Sequence, residues 1–151
     1  VIMHNGILCT CGKRGCFEQY ASANALIQQT KNALASNPDS LINDIIHGDL
    51  TKINAKTVFE ASSKGDIVAE CVIDKYLDYL SEGIINLINI IYPEMIVIGG
   101  GVSKEGDTII KPLREKVNRN AFCKEIVGTK IEAAVMHNDA GIIGAAFLYK
   151  K

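Results

Sequence analysis

The chain has 151 residues, of which 48% are hydrophobic and 22% charged, and its formal net charge at pH 7 is −1. This composition is typical of one compact globular domain with a sizeable apolar core, and the near-neutral charge excludes an electrostatic argument for binding nucleic acid or a membrane surface. No apolar run reaches the roughly 18–20 residues that would span a bilayer.

The first predicted element is a cysteine-rich loop. Residues 1–8 are apolar around an Asn-Gly pair, which predicts a hairpin or a strand end. Cys9, Cys11 and Cys16 follow, with two glycines between the second and the third. Thiolates are strong zinc ligands, so this spacing predicts a metal site, although it lacks a fourth ligand. The alternative is three small buried residues in a turn.

Helices are predicted next. Helix-like spacing of apolar residues covers 18–35, and an Asn-Pro pair ends that helix. Short helices follow at 40–46, where Ser40 can cap, and at 55–62. A long helix covers 66–91, and its second half is apolar almost all round, which predicts central burial and is compatible with a subunit interface.

The last third of the chain alternates strands and helices. Residues 95–98 form a short apolar run, bounded by proline and three glycines, that predicts a buried strand. A helix is expected over 107–117, where Pro112 is tolerated only if it falls in the first turn. A second strand is expected over 130–136 and a helix over 140–149. The chain is therefore predicted to be α/β, with its two strands neighbouring each other in a larger sheet.

The odd number of cysteines, five, with three of them clustered, favours a metal site over a disulfide framework, and a reducing cytoplasm is the expected compartment. Val1 is not an initiator methionine, so we expect the chain to begin inside a longer protein.

Three motifs carry a family resemblance. The pattern Cys9-x-Cys11-Gly-x-x-Gly15-Cys16-x-Glu18-x-x-x-Ser22 resembles the zinc motif of the ROK family, which contains repressors, open reading frames and sugar kinases. The segment Pro-Glu-Met-Ile-Val-Ile-Gly-Gly-Gly-Val-Ser at 93–103 resembles the nucleotide-side motif of that family. The segment Asn-Asp-Ala-Gly-Ile-Ile-Gly-Ala-Ala at 138–146 resembles its C-terminal helix.

The resemblance implies a fold and a domain layout. The chain, 1–151, is similar to the C-terminal half of an actin-like, ribonuclease H-like ATPase-fold sugar kinase with a zinc-knuckle loop at its start. A zinc and sugar-contact loop would occupy 1–22, a helical segment 23–91, and a nucleotide-side α/β segment 92–151. The N-terminal domain of the family, with its phosphate-binding Asp-Gly-Gly loop, catalytic Asp and zinc-binding His, is not present and is expected upstream of Val1.

The resemblance also implies roles for individual residues. Cys9, Cys11 and Cys16 would hold a structural zinc. His4 could supply the fourth ligand, but the interpretation of His4 as an exposed hairpin residue is favoured. Glu18 would accept hydrogen bonds from hexose hydroxyls, the alternative being a solvated carboxylate in the first turn of a helix. The three glycines Gly99, Gly100 and Gly101 would lie against a nucleotide, the alternative being a tight turn.

The function implied is ATP-dependent phosphorylation of a hexose, glucokinase-like, with Mg-ATP and a hexose as substrates and no nucleic-acid or membrane partner. A dimer or tetramer is expected, as in many family members. The chain alone is expected to be inactive because the catalytic base lies upstream. The main alternative is the sugar-sensing domain of a ROK repressor carrying an upstream helix-turn-helix. A stand-alone zinc module fits the large apolar core less well.

Overall fold

A cysteine-rich loop, a layer of helices and a small parallel sheet follow one another along the chain. The computed structural model describes residues 1–122, 128–136 and 139–148. Its helices and strands, in chain order, are α1 (Glu18–Ala21), α2 (Ala23–Leu34), α3 (Leu41–Ile46), α4 (Ala55–Ser63), α5 (Ile67–Ile91), β1 (Met95–Ile98), α6 (Asp107–Asn120), β2 (Lys130–Ala133) and α7 (Asp139–Phe147). Short 3₁₀ turns lie at Leu50–Lys52 and Gly101–Glu105.

The predicted helix over 18–35 is two helices, α1 and α2, separated at Ser22. The backbone of Ser22 is extended, with φ −87° and ψ 167°, and its Oγ accepts a hydrogen bond from the Ala25 N–H at 3.1 Å. A serine in this conformation is a favourable N-cap, which explains why the chain starts a new helix there. Residues 1–8 contain no strand, and the expected hairpin is reduced to one antiparallel bridge between Leu8 and Arg14.

Helix α5 is the centre of the apolar core and packs against α1, α2, α4 and α6. Its second half differs from the prediction of central burial. Ile84, Ile85 and Ile88 are buried, whereas Ile90 and Ile91 are 78% and 65% exposed. The reason is that the other helices cover only one side of this half. Within the described part of the chain, no helix combines the length and the apolarity needed to cross a membrane.

The two strands pair in parallel, from Met95 opposite Lys130 to Ile98 opposite Ala133, with α6 as the crossover. The predicted strand at 95–98 is confirmed, but the prediction that it is fully buried is wrong. Met95 and Val97 are 49% and 53% exposed, whereas Ile96 and Ile98 pack against the core. Helices cover one face of the two-stranded sheet, so side chains that alternate across the strand alternate in exposure.

The position of Pro112 and the end of the second strand differ from the prediction. Pro112 lies inside α6 and not in its first turn, so the Thr108 carbonyl cannot receive a backbone hydrogen bond four residues on. Strand β2 ends at Ala133, before the predicted end at 136. The residues Cys123, His137 and Asn138 and the predicted helix end at 149 lie outside the described residues.

Helix α6 is attached to α5 by a buried lysine that pairs with two exposed carboxylates. Lys116, which is 8% exposed, donates to Asp74 at 2.7 Å and to Asp78 on the adjacent turn of α5. Burial disfavours the ammonium, but the two carboxylates outweigh it and raise the pKa of Lys116. This contact fixes the crossover helix, and with it the loop after β1, against the core.

Asp66 connects the N-termini of two helices. Its Oδ1 accepts from the Ala69 N–H of α5 at 2.7 Å, and its Oδ2 accepts from the Leu41 N–H of α3 and from the Ser40 hydroxyl at 2.8 Å. The residue is only 5% exposed. Burial works against the charged carboxylate, but these hydrogen bonds outweigh it and lower the pKa of Asp66.

Candidate functional site

The three cysteines of the first loop come together. The Sγ atoms of Cys9, Cys11 and Cys16 all lie within 4.8 Å of one another, and those of Cys11 and Cys16 are 3.5 Å apart. Tetrahedral zinc with Zn–S bonds near 2.3 Å separates its sulfurs by about 3.8 Å, so the cluster fits this metal. Cys9 is buried and Cys11 exposed. His4 is exposed and is not a member of the cluster.

Glycines shape this loop. The Cys9 N–H donates to the Lys13 carbonyl at 2.8 Å and the Gly12 N–H donates to the Cys9 carbonyl at 2.9 Å, which folds the chain back on itself. Gly15 has φ +77°, and a Cβ on it would lie 1.6 Å from the Met3 carbonyl oxygen. Only glycine fits this position, because both the backbone conformation and the close approach exclude a side chain.

The thiols of the cluster differ in acidity. Hydrogen bonds from the Cys11 backbone N–H and thiol lower the pKa of Cys9 to about 7. The thiol of Cys11, together with burial, raises the pKa of Cys16 to about 11. One sulfur is thus available as a thiolate near neutral pH, while binding of a metal to all three would release the remaining protons.

Glu18 lies on the short helix that follows the cysteines. It is the first residue of α1, and its side chain is exposed. No hydrogen bond or ion pair engages its carboxylate in the part of the chain that the structure describes. The helix itself is held in place, because the Tyr76 hydroxyl of α5 donates to the Ala21 carbonyl at 3.0 Å. An exposed acceptor on a fixed turn is suited to binding hydroxyl groups of a ligand.

The three glycines form a loop at the carboxyl end of β1. Gly100 has φ +81° and ψ −169°, a conformation essentially restricted to glycine. The buried Ser103 closes the turn, with its hydroxyl and its N–H donating to the Gly100 carbonyl at 2.7 and 3.3 Å. A Cβ on Gly99, Gly100 or Gly101 would meet nothing within 4 Å, so the loop is open to a ligand.

The structure brings the glycine loop next to the end of α1. A pocket of about 250 Å³ is lined by the three glycines together with Ala21, Ser22, Tyr76 and Leu80. Glu18 is not among its lining residues, although it lies one turn before Ala21. Ser22, the last position of the cysteine motif, both caps α2 and lines this pocket.

A second pocket, of about 600 Å³, lies along the same loop. It shares Gly101 with the first and is lined by Asn54 and Lys56 at the start of α4 and by the exposed Lys104 after the loop. Sequence reasoning missed these residues because no motif connects α4 to the glycines. Pockets on two sides of the loop suit an elongated ligand with distinct chemical parts.

Comparison with known proteins relates this chain to a family. A model of the ROK family matches residues 1–151. The glucokinase of Halalkalibacterium halodurans is 39% identical over 153 residues, covering 100% of this chain and 46% of the relative. The xylose repressor of Caldicellulosiruptor bescii is 28% identical, covering 91% of this chain and 34% of the relative. The chain spans about half the length of the curated glucokinases it matches.

A solved structure has a similar fold. The ROK family glucokinase from Streptomyces griseus, in complex with glucose and AMPPNP, superposes with a TM-score of 0.87 and 32% identity. The match covers 95% of this chain and 47% of that chain.

Proposed function

The chain belongs to the ROK family, and from this premise we propose that the full-length protein containing it transfers a phosphoryl group from Mg-ATP to a hexose. The observation that carries the proposal is the open glycine loop beside α1, in a fold similar to that of a glucokinase crystallised with glucose and AMPPNP. We infer an actin-like ATPase fold for the whole protein.

Within this proposal, the chain supplies binding surfaces and not the catalytic base. Glu18 accepts hydrogen bonds from sugar hydroxyls, and Gly99, Gly100 and Gly101 lie against the nucleotide. The base, a carboxylate that takes the hydroxyl proton, is expected in the half of the relatives that this chain does not match. Catalysis then consists mainly of positioning the two substrates and stabilising charge on the transferring phosphoryl group.

The assay that tests this function is ADP formation by the full-length protein with a panel of hexoses. A hexose-dependent signal supports the kinase, whereas the 151-residue chain alone should give none. Absence of ADP formation with every hexose would overturn the proposal. Specific binding to operator DNA that a sugar releases would then support the second candidate, a ROK repressor, which the similarity to the xylose repressor favours.

We further infer that Cys9, Cys11 and Cys16 hold a structural zinc that stabilises the loop preceding Glu18. We expect about one Zn²⁺ per chain in the full-length protein, measured by elemental analysis after extensive dialysis. Cys11→Ser should lose the metal. Cys71→Ser is the matched control, because Cys71 is also an exposed thiol but lies outside the cluster. Zinc-free protein, with all three thiols titrating freely, would contradict the assignment.

The Gly100→Val variant tests the nucleotide role of the loop. A β-branched residue at φ +81° is strained by about 1–3 kcal/mol, and its side chain would project into the space assigned to the nucleotide. We expect KM for ATP to rise about ten-fold or more, with KM for the sugar little changed.

Gly65→Val is the matched control for this variant. Gly65 also has a positive φ, +83°, with nothing within 4 Å of its Cβ position, but it lies between α4 and α5. It should lower stability and leave KM for ATP unchanged. A Gly100→Val protein with the wild-type KM for ATP would mean that the glycines form only a turn.

A further inference from the structure

Helix α1 is docked on one face of α5 through three aromatic contacts. The Tyr76 hydroxyl donates to the Ala21 carbonyl, and the rings of Tyr20 and Tyr79 lie with their centroids 4.9 Å apart. One turn further along α5, the ring of Phe17 packs against Gly83. Phe17 lies between Cys16 and Glu18 in sequence, so this third contact is made by the residue that joins the thiol cluster to the exposed carboxylate.

The position of Gly83 within its own helix does not explain why the residue is glycine. It is a buried residue in the interior of a 25-residue helix, where glycine is less favourable than alanine. The reason lies across the interface. A Cβ at this position would lie 2.3 Å from both Cε2 and Cζ of Phe17 and 2.7 Å from its Cδ2. At these distances the Phe17 ring would have to move away, so the missing side chain sets how deeply Phe17 can lie against α5.

We propose that Gly83 is a positioning residue for the candidate site. By admitting the Phe17 ring, it fixes the distance of α1 from α5 and thereby the placement of both Glu18 and Cys16. The role of Glu18 in this inference rests on the proposed hexose kinase function. The placement of the thiol cluster does not, since it can be measured in metal-free protein without any sugar.

The test is Gly83→Ala in the full-length protein. The added methyl should displace Phe17 and move the Glu18 turn, raising KM for the sugar about ten- to a hundred-fold while KM for ATP changes little. The displaced loop should also increase the rate at which a thiol reagent labels Cys9 in metal-free protein, because Cys9 is buried in the native loop. Asn86→Ala, an exposed change on the same helix, is the control and should leave both readouts unchanged.

A second variant separates positioning from general stability. Phe17→Leu in the Gly83→Ala background makes room for the methyl, and we expect it to restore the KM for sugar and the labelling rate towards wild type. Equal increases in both KM values without rescue, or an unchanged Gly83→Ala protein, would overturn the proposal. If Gly83→Ala is insoluble, a soluble double variant with near-native labelling supports it, and an insoluble one overturns it.

The parallel Glu18→Ala variant distinguishes failure of this inference from failure of the proposed function. If Glu18→Ala leaves KM for the sugar unchanged, the sugar role of Glu18 is wrong. The labelling rates of Cys9 then decide by themselves whether Gly83 positions the loop.

Discussion

Replacing Asp66 by alanine should lower the free energy of unfolding by about 3–5 kcal/mol, because it removes three hydrogen bonds to a buried carboxylate. The N–H groups of Ala69 and Leu41 would lose their acceptor at the start of two different helices. Urea denaturation of the 151-residue chain, followed by circular dichroism, measures the change. Asn54→Ala is the matched control, since Asn54 is an exposed cap of one helix and its loss should cost about 1 kcal/mol.

The same residue should make stability depend on pH. The folded pKa of Asp66 is lowered, so its contribution is fully present above the unfolded value of about 3.9 and is lost as pH falls through the folded pKa. Stability should therefore decline below about pH 4, and Asp66→Asn should flatten that decline. If Asp66→Ala lowered the free energy of unfolding no more than Asn54→Ala, Asp66 would stabilise only one of the two helices.

Replacing Glu18 by alanine in the full-length protein should raise KM for the sugar about ten- to a hundred-fold, with KM for ATP nearly unchanged. Loss of a hydrogen bond to a charged acceptor costs about 1.5–3 kcal/mol, which corresponds to that range. Stability should hardly change, because the carboxylate is exposed and engages no partner in the described part of the chain. Steady-state kinetics with each substrate varied in turn provide the measurement.

Glu70→Ala is the matched control for Glu18, because Glu70 is also an exposed carboxylate in the first turn of a helix. It should leave both KM values at wild type. Unchanged sugar kinetics in Glu18→Ala would return Glu18 to the role of a solvated helix residue.

The helices with local signals were predictable from the sequence. Ser40 and Asp66 precede apolar periodic runs, and α3 and α5 begin directly after them. The break at Ser22 was missed because apolar spacing continues through it, and only the extended backbone reveals the cap. The alternating exposure of β1 was missed because an apolar run in the sequence does not show whether one or both faces of the sheet are covered.

The candidate site was only partly predictable. The spacing of Cys9, Cys11 and Cys16 was sufficient to predict that the thiols meet. The pocket between Ser22 and the glycine loop, and the contact of Phe17 with Gly83, depend on residues far apart in the chain. Periodicity describes which face of a helix is buried but not which residue of another helix it meets, so these placements required the structure.

The parallel pairing of β1 with β2 has a consequence for the order of events in folding. Parallel strands cannot be joined by a tight turn, so β1 finds its partner only after α6 has been synthesised and has closed the crossover. The contacts among α2, α4 and α5 need none of the chain beyond Ile91 and can form while the ribosome is still extending it. The loop that carries the glycines can therefore form on a helical layer that is already assembled.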